Sequence, residues 1–129
     1  MKILIIEDDV VSRTVLTTIL AKMPEHQVAA AESAELAWEW LNDPGRTFDV
    51  VFLDIGLPGM SGLELLERLK ESFFHRSLQI IMCTAANDRA TITKAIQIGA
   101  KHYLVKPLTE AAVIAKLQLI MGTAKAPAR

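Results

Sequence analysis

Five polar residues stand at the ends of short apolar runs in this chain, and together they could perform phosphoryl chemistry: Glu7, Asp8, Asp54, Thr84 and Lys106. Carboxylates that crowd together repel one another, and a bound divalent cation relieves that repulsion. Oxygen ligands of this kind select Mg²⁺, Mn²⁺ or Ca²⁺ rather than zinc. A hydroxyl and an ammonium can then bind the remaining oxygens of a phosphoryl group. Asp54 is the best candidate to attack phosphorus and carry the group as an acyl phosphate.

The apolar runs predict the strands that would bring these residues together. Continuous runs at 3–6, 50–53 and 78–83 are typical of strands buried on both faces, a weak strand is predicted at 26–31, and a fifth strand is predicted at 102–105. Helical segments are predicted between and after them, at 10–23, 33–43, 63–72, 87–98 and 110–121. This alternation predicts a parallel sheet with helices on both faces. Because right-handed crossovers bring all carboxyl ends of the strands to one edge, the five polar residues should meet there.

Composition narrows the class of protein. The chain has 129 residues, of which 51% are hydrophobic, so it is long and apolar enough for one folded domain. Its formal net charge of −1 gives no electrostatic case for a nucleic-acid partner. The single cysteine, Cys83, excludes an internal disulfide and is expected to be a small buried hydrophobe. With no signal peptide and no run of membrane-spanning length, we expect a soluble, cytoplasmic protein.

Four motifs contain the five polar residues: Ile5-Ile6-Glu7-Asp8, Leu53-Asp54-Ile55-Gly56-Leu57-Pro58-Gly59-Met60-Ser61-Gly62, Cys83-Thr84-Ala85 and Tyr103-Leu104-Val105-Lys106-Pro107. With these motifs the chain resembles the receiver domain of bacterial two-component response regulators, over nearly its whole length. The resemblance implies a flavodoxin-like (CheY-like) doubly wound α/β fold, in which five parallel strands lie in the order 2-1-3-4-5 with five helices. We expect a receiver domain at residues 1–122 and a frayed tail or the start of a linker at 123–129.

The resemblance also implies how a phosphoryl group would reach the chain. It implies that Asp54 accepts this group from a sensor histidine kinase or a phosphotransfer protein, in a reaction that depends on Mg²⁺, with Mn²⁺ as a substitute. Asp8, Asp54 and the backbone carbonyl of Gly56 are implied as direct ligands of the cation. Glu7 is implied to act through a water molecule.

Further roles implied by the resemblance concern phosphate binding and signalling. Thr84, Lys106 and the backbone N–H of Ala85 would bind phosphoryl oxygens, and Tyr103 would swing inward as Thr84 moves toward the phosphate. The peptide bond between Lys106 and Pro107 is expected to be cis. The signal would pass to an output domain or a partner protein through the face formed by helix 4, strand 5 and helix 5.

Two positions depart from the usual pattern of the family. Gly56, two residues past the acceptor, and Ala86, two residues past Thr84, are both small. These positions flank the route by which water reaches a phosphoryl group. We therefore expect an uncrowded site in which water attack limits the lifetime of the phosphoryl group.

The second helix carries an apolar face that we expect in the core: Ala34, Ala37, Trp38 and Leu41. Leu36 and Trp40 would then point outward. Trp40 either lies flat on the neighbouring surface or forms, with Leu36, a docking patch for a partner domain or a second subunit, so a homodimer is open. Ile92 on the fourth helix is a similar contact candidate on the signalling face.

A few other polar side chains are given structural roles. Asp9 is expected to cap the first helix rather than to bind a cation. His26, His75 and His102 show no metal-ligand spacing and are expected on the surface.

Two other functions remain open from the residues themselves. One is a Mg²⁺-dependent phosphatase with an aspartyl nucleophile, which needs a second acid just past the nucleophile, where this chain has Gly56. The other is an interaction module of the receiver type that works without phosphorylation, against which the complete set of acids, threonine and lysine argues. A receiver domain is not a conventional enzyme, although it assists its own phosphorylation and dephosphorylation.

Overall fold

A computed structural model describes residues 1–85 and 88–125. In those residues the strands are β1 (Lys2–Ile6), β2 (Gln27–Ala31), β3 (Val50–Asp54), β4 (Gln79–Ala85) and β5 (His102–Lys106). The helices are α1 (Val10–Ala21), α2 (Ala34–Leu41), α3 (Gly62–Glu71), α4 (Arg89–Ile98) and α5 (Glu110–Lys125), with a short 3₁₀ turn at Phe73–His75. Ala86 and residues 126–129, on which two of the predictions depend, lie outside the described residues.

The strands form one parallel sheet in the order β2-β1-β3-β4-β5. This order and the alternating helices confirm the predicted doubly wound fold. Every residue of β3 is buried, as is expected for a central parallel strand that is covered on both faces. The carboxyl ends of β1, β3, β4 and β5 therefore lie side by side at one edge of the sheet.

Two hydrophobic cores lie on opposite faces of the sheet. Alternate residues of β1 divide between them: Leu4 and Ile6 face α2, α3 and α4, and Ile3 and Ile5 face α1 and α5. Phe52 at the centre of β3 is fully buried in the second core. Full burial of such a side chain stabilises the fold by about 1.5–3 kcal/mol.

Side-chain caps fix where the helices begin. The Asp9 carboxylate accepts the backbone N–H of Ser12 at 2.8 Å, which confirms its predicted role as the cap of α1. The remaining helices begin after Ser33, Ser61, Asp88 and Thr109, each of which accepts a backbone N–H of the first turn. The helix starts are therefore local features. The end of α5 was predicted too early, because the helix continues to Lys125.

The prediction that the histidines lie on the surface is wrong for His26 and His75, which are both buried. His75 Nε2 lies 2.9 Å from the carbonyl oxygen of Leu41, and its Nδ1 lies 2.8 Å from the Ser72 hydroxyl. His26 Nδ1 lies 3.1 Å from the amino group of Met1. Hydrogen bonds to Met1 for His26, and to Leu41 and Ser72 for His75, therefore compensate for the burial of both rings. His102 is half-buried at the start of β5.

The α2 surface is less exposed than expected. Leu36 and Trp40 are half-buried and pack against the core beneath α2, and the Arg46 guanidinium lies 4.5 Å from the centre of the Trp40 ring. Trp38, predicted in the core, is also half-buried. This packing agrees with the interpretation that Trp40 lies against the neighbouring surface. None of the helices in the described part of the chain has the length and apolar character needed to span a membrane.

Candidate functional site

The predicted acidic cluster forms at the carboxyl edge of the sheet. One carboxylate oxygen from each of Glu7, Asp8 and Asp54 lies within 4.8 Å of the others. Lys106 reaches from β5 across β4, and its Nζ lies 2.6 Å from Glu7 Oε1 and 3.4 Å from Asp54 Oδ1. The structure therefore gathers the three acids and the lysine around one point, as the topology predicts.

Thr84 and Ala85 lie beside this cluster on the neighbouring strand. In the register of the sheet Asp54 pairs with Cys83, so Thr84 lies one residue further toward the edge. The Thr84 side chain is buried, and its hydroxyl donates a long hydrogen bond of 3.4 Å to the carbonyl oxygen of Ala85. Ala85 pairs with Lys106. This weak bond leaves the threonine hydroxyl free to rotate toward a better acceptor.

The loop between β3 and α3 holds the Asp54 carboxylate in place. Asp54 Oδ1 accepts the backbone N–H of Gly56 at 3.1 Å. The ends of the loop are drawn together, because the Gly62 N–H donates to the Ile55 carbonyl oxygen at 3.3 Å. A Cβ atom on Gly62 would lie 2.3 Å from the Asp54 carbonyl oxygen, so no other residue fits there without moving the backbone of Asp54. At Gly56 a Cβ atom would lie 3.9 Å from Asp54 Oδ1, an ordinary contact distance, so a side chain can be added there.

Arg13 fixes the loop that carries the other two acids, and the sequence interpretation missed it. Its Nη1 donates to the carbonyl oxygen of Glu7 at 2.8 Å and, at 3.4 Å, to that of Asp8. The Asp9 N–H also donates to Glu7 Oε2 at 3.2 Å. The feature of the sequence that could have indicated this role of Arg13 is its position in the first turn of a helix that directly follows an acidic loop.

Burial and like charges make the ionisation of one acid in the cluster unfavourable. Burial, together with the hydrogen bond and charge of Asp54, raises the pKa of Glu7 to about 7 against the opposing effect of Lys106. Burial alone would lower the pKa of Lys106, but the hydrogen bond to Glu7 and the charge of Asp54 outweigh it, so the net shift is upward. A cluster of hard oxygen ligands in which one acid already competes for a proton fits a divalent cation such as Mg²⁺.

Tyr103 and Cys83 lie next to the site without belonging to the acidic cluster. The Tyr103 side chain is 46% exposed and borders a small cavity together with Ile92 and Ile96 of α4. Cys83 is buried, as predicted, and its burial raises the thiol pKa to about 12, so it is not a nucleophile at neutral pH. The peptide bond between Lys106 and Pro107 is cis, as predicted.

The fold and the acidic cluster define a doubly wound α/β domain of the receiver type, as the motifs indicated. Comparison with known proteins identifies the family. The family model of the response regulator receiver domain matches residues 3–118, and the chain therefore belongs to that family. The resemblance drawn from the sequence motifs is confirmed.

Individual relatives agree with this assignment. Chemotaxis protein CheY1 of Helicobacter pylori is 30% identical over 123 residues, which cover 95% of this chain and 98% of that protein. The structure is similar to NtrX from Brucella abortus, with 30% identity and a TM-score of 0.85 over 98% of this chain and 28% of NtrX. It is also similar to the signal receiver domain of a DNA-binding response regulator (merR) from Colwellia psychrerythraea, with 26% identity and a TM-score of 0.85 over 94% of this chain and 98% of that domain.

Proposed function

We propose that this receiver domain is a phosphorylation switch in which Asp54 is the phosphoryl acceptor. The observation that carries the proposal is the position of Lys106 Nζ between Glu7 and Asp54, inside a cluster of three carboxylates. The donor is a phosphohistidine of a sensor histidine kinase or of a phosphotransfer protein. A donor of this kind implies that the domain works in the cytoplasm.

In the proposed transfer, an oxygen of the Asp54 carboxylate attacks phosphorus and forms the acyl-phosphate bond. The bond from phosphorus to the histidine nitrogen breaks, and the nitrogen leaves with the electron pair. Lys106 stabilises negative charge on the phosphoryl oxygens, and the Thr84 hydroxyl and the Ala85 N–H donate hydrogen bonds to them. Mg²⁺, or Mn²⁺, held by Asp8, Asp54, the Gly56 carbonyl and through water by Glu7, would neutralise charge on the transferred group.

Phosphorylation would shift the domain between two states because the new oxygens compete for existing partners. Lys106 would turn from Glu7 toward the phosphate, and Thr84 would exchange its weak bond to Ala85 for a charge-assisted one. Movement of Thr84 would open room for the exposed Tyr103 ring to turn inward. This is a local change in charge and packing with a readout at the surface.

The output would be read on the face formed by α4, β5 and α5. Ile96, Tyr103 and Val105 are large apolar side chains exposed on this face. An output domain or a partner protein would bind here, and a second copy of the chain would make a homodimer. The alternative patch at Leu36 and Trp40 is half-buried and offers less apolar surface.

Gly56 is proposed to shorten the lifetime of the phosphoryl group. The glycine is exposed next to Asp54 Oδ1, and its lack of a side chain leaves a path for water to the acyl phosphate. The contribution of Ala86 to the same path stays a prediction.

The decisive experiment is intact-mass measurement after incubation with acetyl phosphate and Mg²⁺. The switch predicts one added phosphoryl group on the wild type, none on Asp54→Asn and none in the presence of a chelator. Continuous release of inorganic phosphate far in excess of protein would indicate a phosphatase instead. An unchanged mass at every donor concentration would refute the proposal and favour an interaction module that works without phosphorylation.

A further inference from the structure

Glu35 connects α2 to the loop that carries the acceptor. It lies in the first turn of α2, and its Oε2 accepts the backbone N–H of Met60 at 3.0 Å, 25 residues further along the chain. Glu35 belongs to none of the sequence motifs of the site, and it lies outside the acidic cluster. The contact joins an exposed side chain of one helix to the backbone of the loop at residues 55–61.

The loop is shaped to receive this carboxylate. Gly59, next to Met60, has a φ of +68°, a conformation that glycine adopts without strain. A Cβ atom at Gly59 would lie 2.6 Å from Glu35 Oε2 and would displace it. The Met60 N–H also lowers the pKa of Glu35, which keeps the carboxylate charged and accepting at neutral pH. The absence of a side chain at Gly59 and the N–H of Met60 therefore both accommodate the Glu35 carboxylate.

The rest of the loop shows why such a contact matters. Its base is closed by hydrogen bonds from the Ile55 N–H to the Cys83 carbonyl oxygen at 3.0 Å and from the Gly62 N–H to the Ile55 carbonyl oxygen at 3.3 Å. Two glycines, Gly56 and Gly59, lie between these ends and make the free loop costly to order. Among the described residues, the hydrogen bond found at the tip of this loop is the one from the Met60 N–H to Glu35.

We propose that Glu35 is a positioning residue, which holds the loop at residues 55–61 so that the Gly56 carbonyl and the Asp54 carboxylate stay aligned for the cation and the phosphoryl group. This inference rests on the function proposed for Asp54. It assigns to α2 a part in the geometry of the site that the five motif residues do not provide. Glu35 itself touches neither the cation nor the phosphoryl group.

The test compares Glu35→Ala, Glu35→Gln and a matched control, Glu39→Ala, in the full chain. Glu39 is exposed one turn further along α2, and its side chain makes none of the side-chain hydrogen bonds found among the described residues. Three quantities are measured: the Mg²⁺ dissociation constant by calorimetry, the rate of labelling by acetyl phosphate at low and saturating Mg²⁺, and the hydrogen exchange of the Met60 amide.

Glu35→Ala is expected to weaken Mg²⁺ binding about three- to ten-fold, the effect of losing one charge-assisted but solvent-exposed hydrogen bond. Labelling should slow by a similar factor at low Mg²⁺ and recover at saturating Mg²⁺, which a general loss of stability would not produce. Glu35→Gln keeps an acceptor oxygen and should restore most of the affinity. Glu39→Ala should match the wild type, and the Met60 amide should exchange faster only in Glu35→Ala.

Equal Mg²⁺ affinity in Glu35→Ala and Glu39→Ala would overturn the inference. So would a Met60 amide that exchanges at the unprotected rate in the wild type, a result that needs no variant to fold. If the wild type is not labelled at all, the proposed function of Asp54 fails. Mg²⁺ affinity and Met60 exchange would still decide the role of Glu35.

Discussion

Replacement of Glu7 by glutamine should stabilise the metal-free protein, and the gain should grow with pH. Glu7 has a pKa of about 7 in the folded protein against 4.5 for an ordinary glutamate, because it is buried beside Asp54. The folded state therefore holds a proton that the unfolded state releases. In the wild type, stability present below pH 4.5 is lost as the pH rises toward 7.

The size of the effect follows from this shift in the pKa. At 1.36 kcal/mol per pKa unit, the ionisation of Glu7 costs the folded state about 3 kcal/mol well above pH 7. Glutamine resembles the protonated acid and avoids this cost, and the pKa of about 7 already includes the hydrogen bond from Lys106. The gain at pH 8 should be about 3 kcal/mol, and at pH 5 it should fall below about 1 kcal/mol.

Urea unfolding in the presence of a chelator, at pH 5, 6, 7 and 8, measures the free energy of unfolding of both proteins. The other titratable side chains are the same in both proteins, so their contribution cancels in the difference. Glu64→Gln, a change in an exposed acid of α3, is the control and should show no such trend. A difference between Glu7→Gln and the wild type that stays constant from pH 5 to pH 8 would refute the reasoning.

Three further predictions concern the rest of the site and the opposite edge of the sheet. Gly56→Met should lengthen the half-life of the phosphoryl group, measured by the decay of the phosphorylated mass, because the new side chain covers Asp54 Oδ1; an unchanged half-life would contradict the proposed path for water. Arg13→Ala should lower the free energy of unfolding by about 1 kcal/mol and speed exchange of the amides at residues 7–9, because the carbonyl oxygens of Glu7 and Asp8 lose their donor; amides that exchange as slowly as in the wild type would argue against this role. His26→Gln should reduce the loss of stability below pH 6.5. Burial and the amino group of Met1 lower the pKa of His26 against the opposing charge of Glu25, so the wild type loses stability as the unfolded state takes up a proton. Urea midpoints that fall equally in both proteins between pH 7 and pH 5 would count against this prediction.

The sequence by itself determined the elements and the place where the site forms. Apolar runs that end in Asp54 and Lys106 predict buried strands, and their alternation with helices predicts a parallel sheet. In such a sheet all strands end at one edge, so residues 99 positions apart, such as Glu7 and Lys106, meet without any knowledge of side-chain contacts. The cap of α1 at Asp9 could also be predicted from the sequence, because a capping side chain accepts a hydrogen bond from a residue in the same turn.

Only the tertiary structure decided which side chains are buried and which of them pair. The apolar residues of α1 include Val11, which is exposed, and Leu16, which is buried, because the contact side of a helix is set by how it lies on the sheet. His75 is buried because the end of α2 supplies a carbonyl acceptor 34 residues away. The contact of Glu35 with Met60 arises in the same way. Sequence patterns report local periodicity, and these pairs depend on the relative positions of packed elements that no local pattern contains.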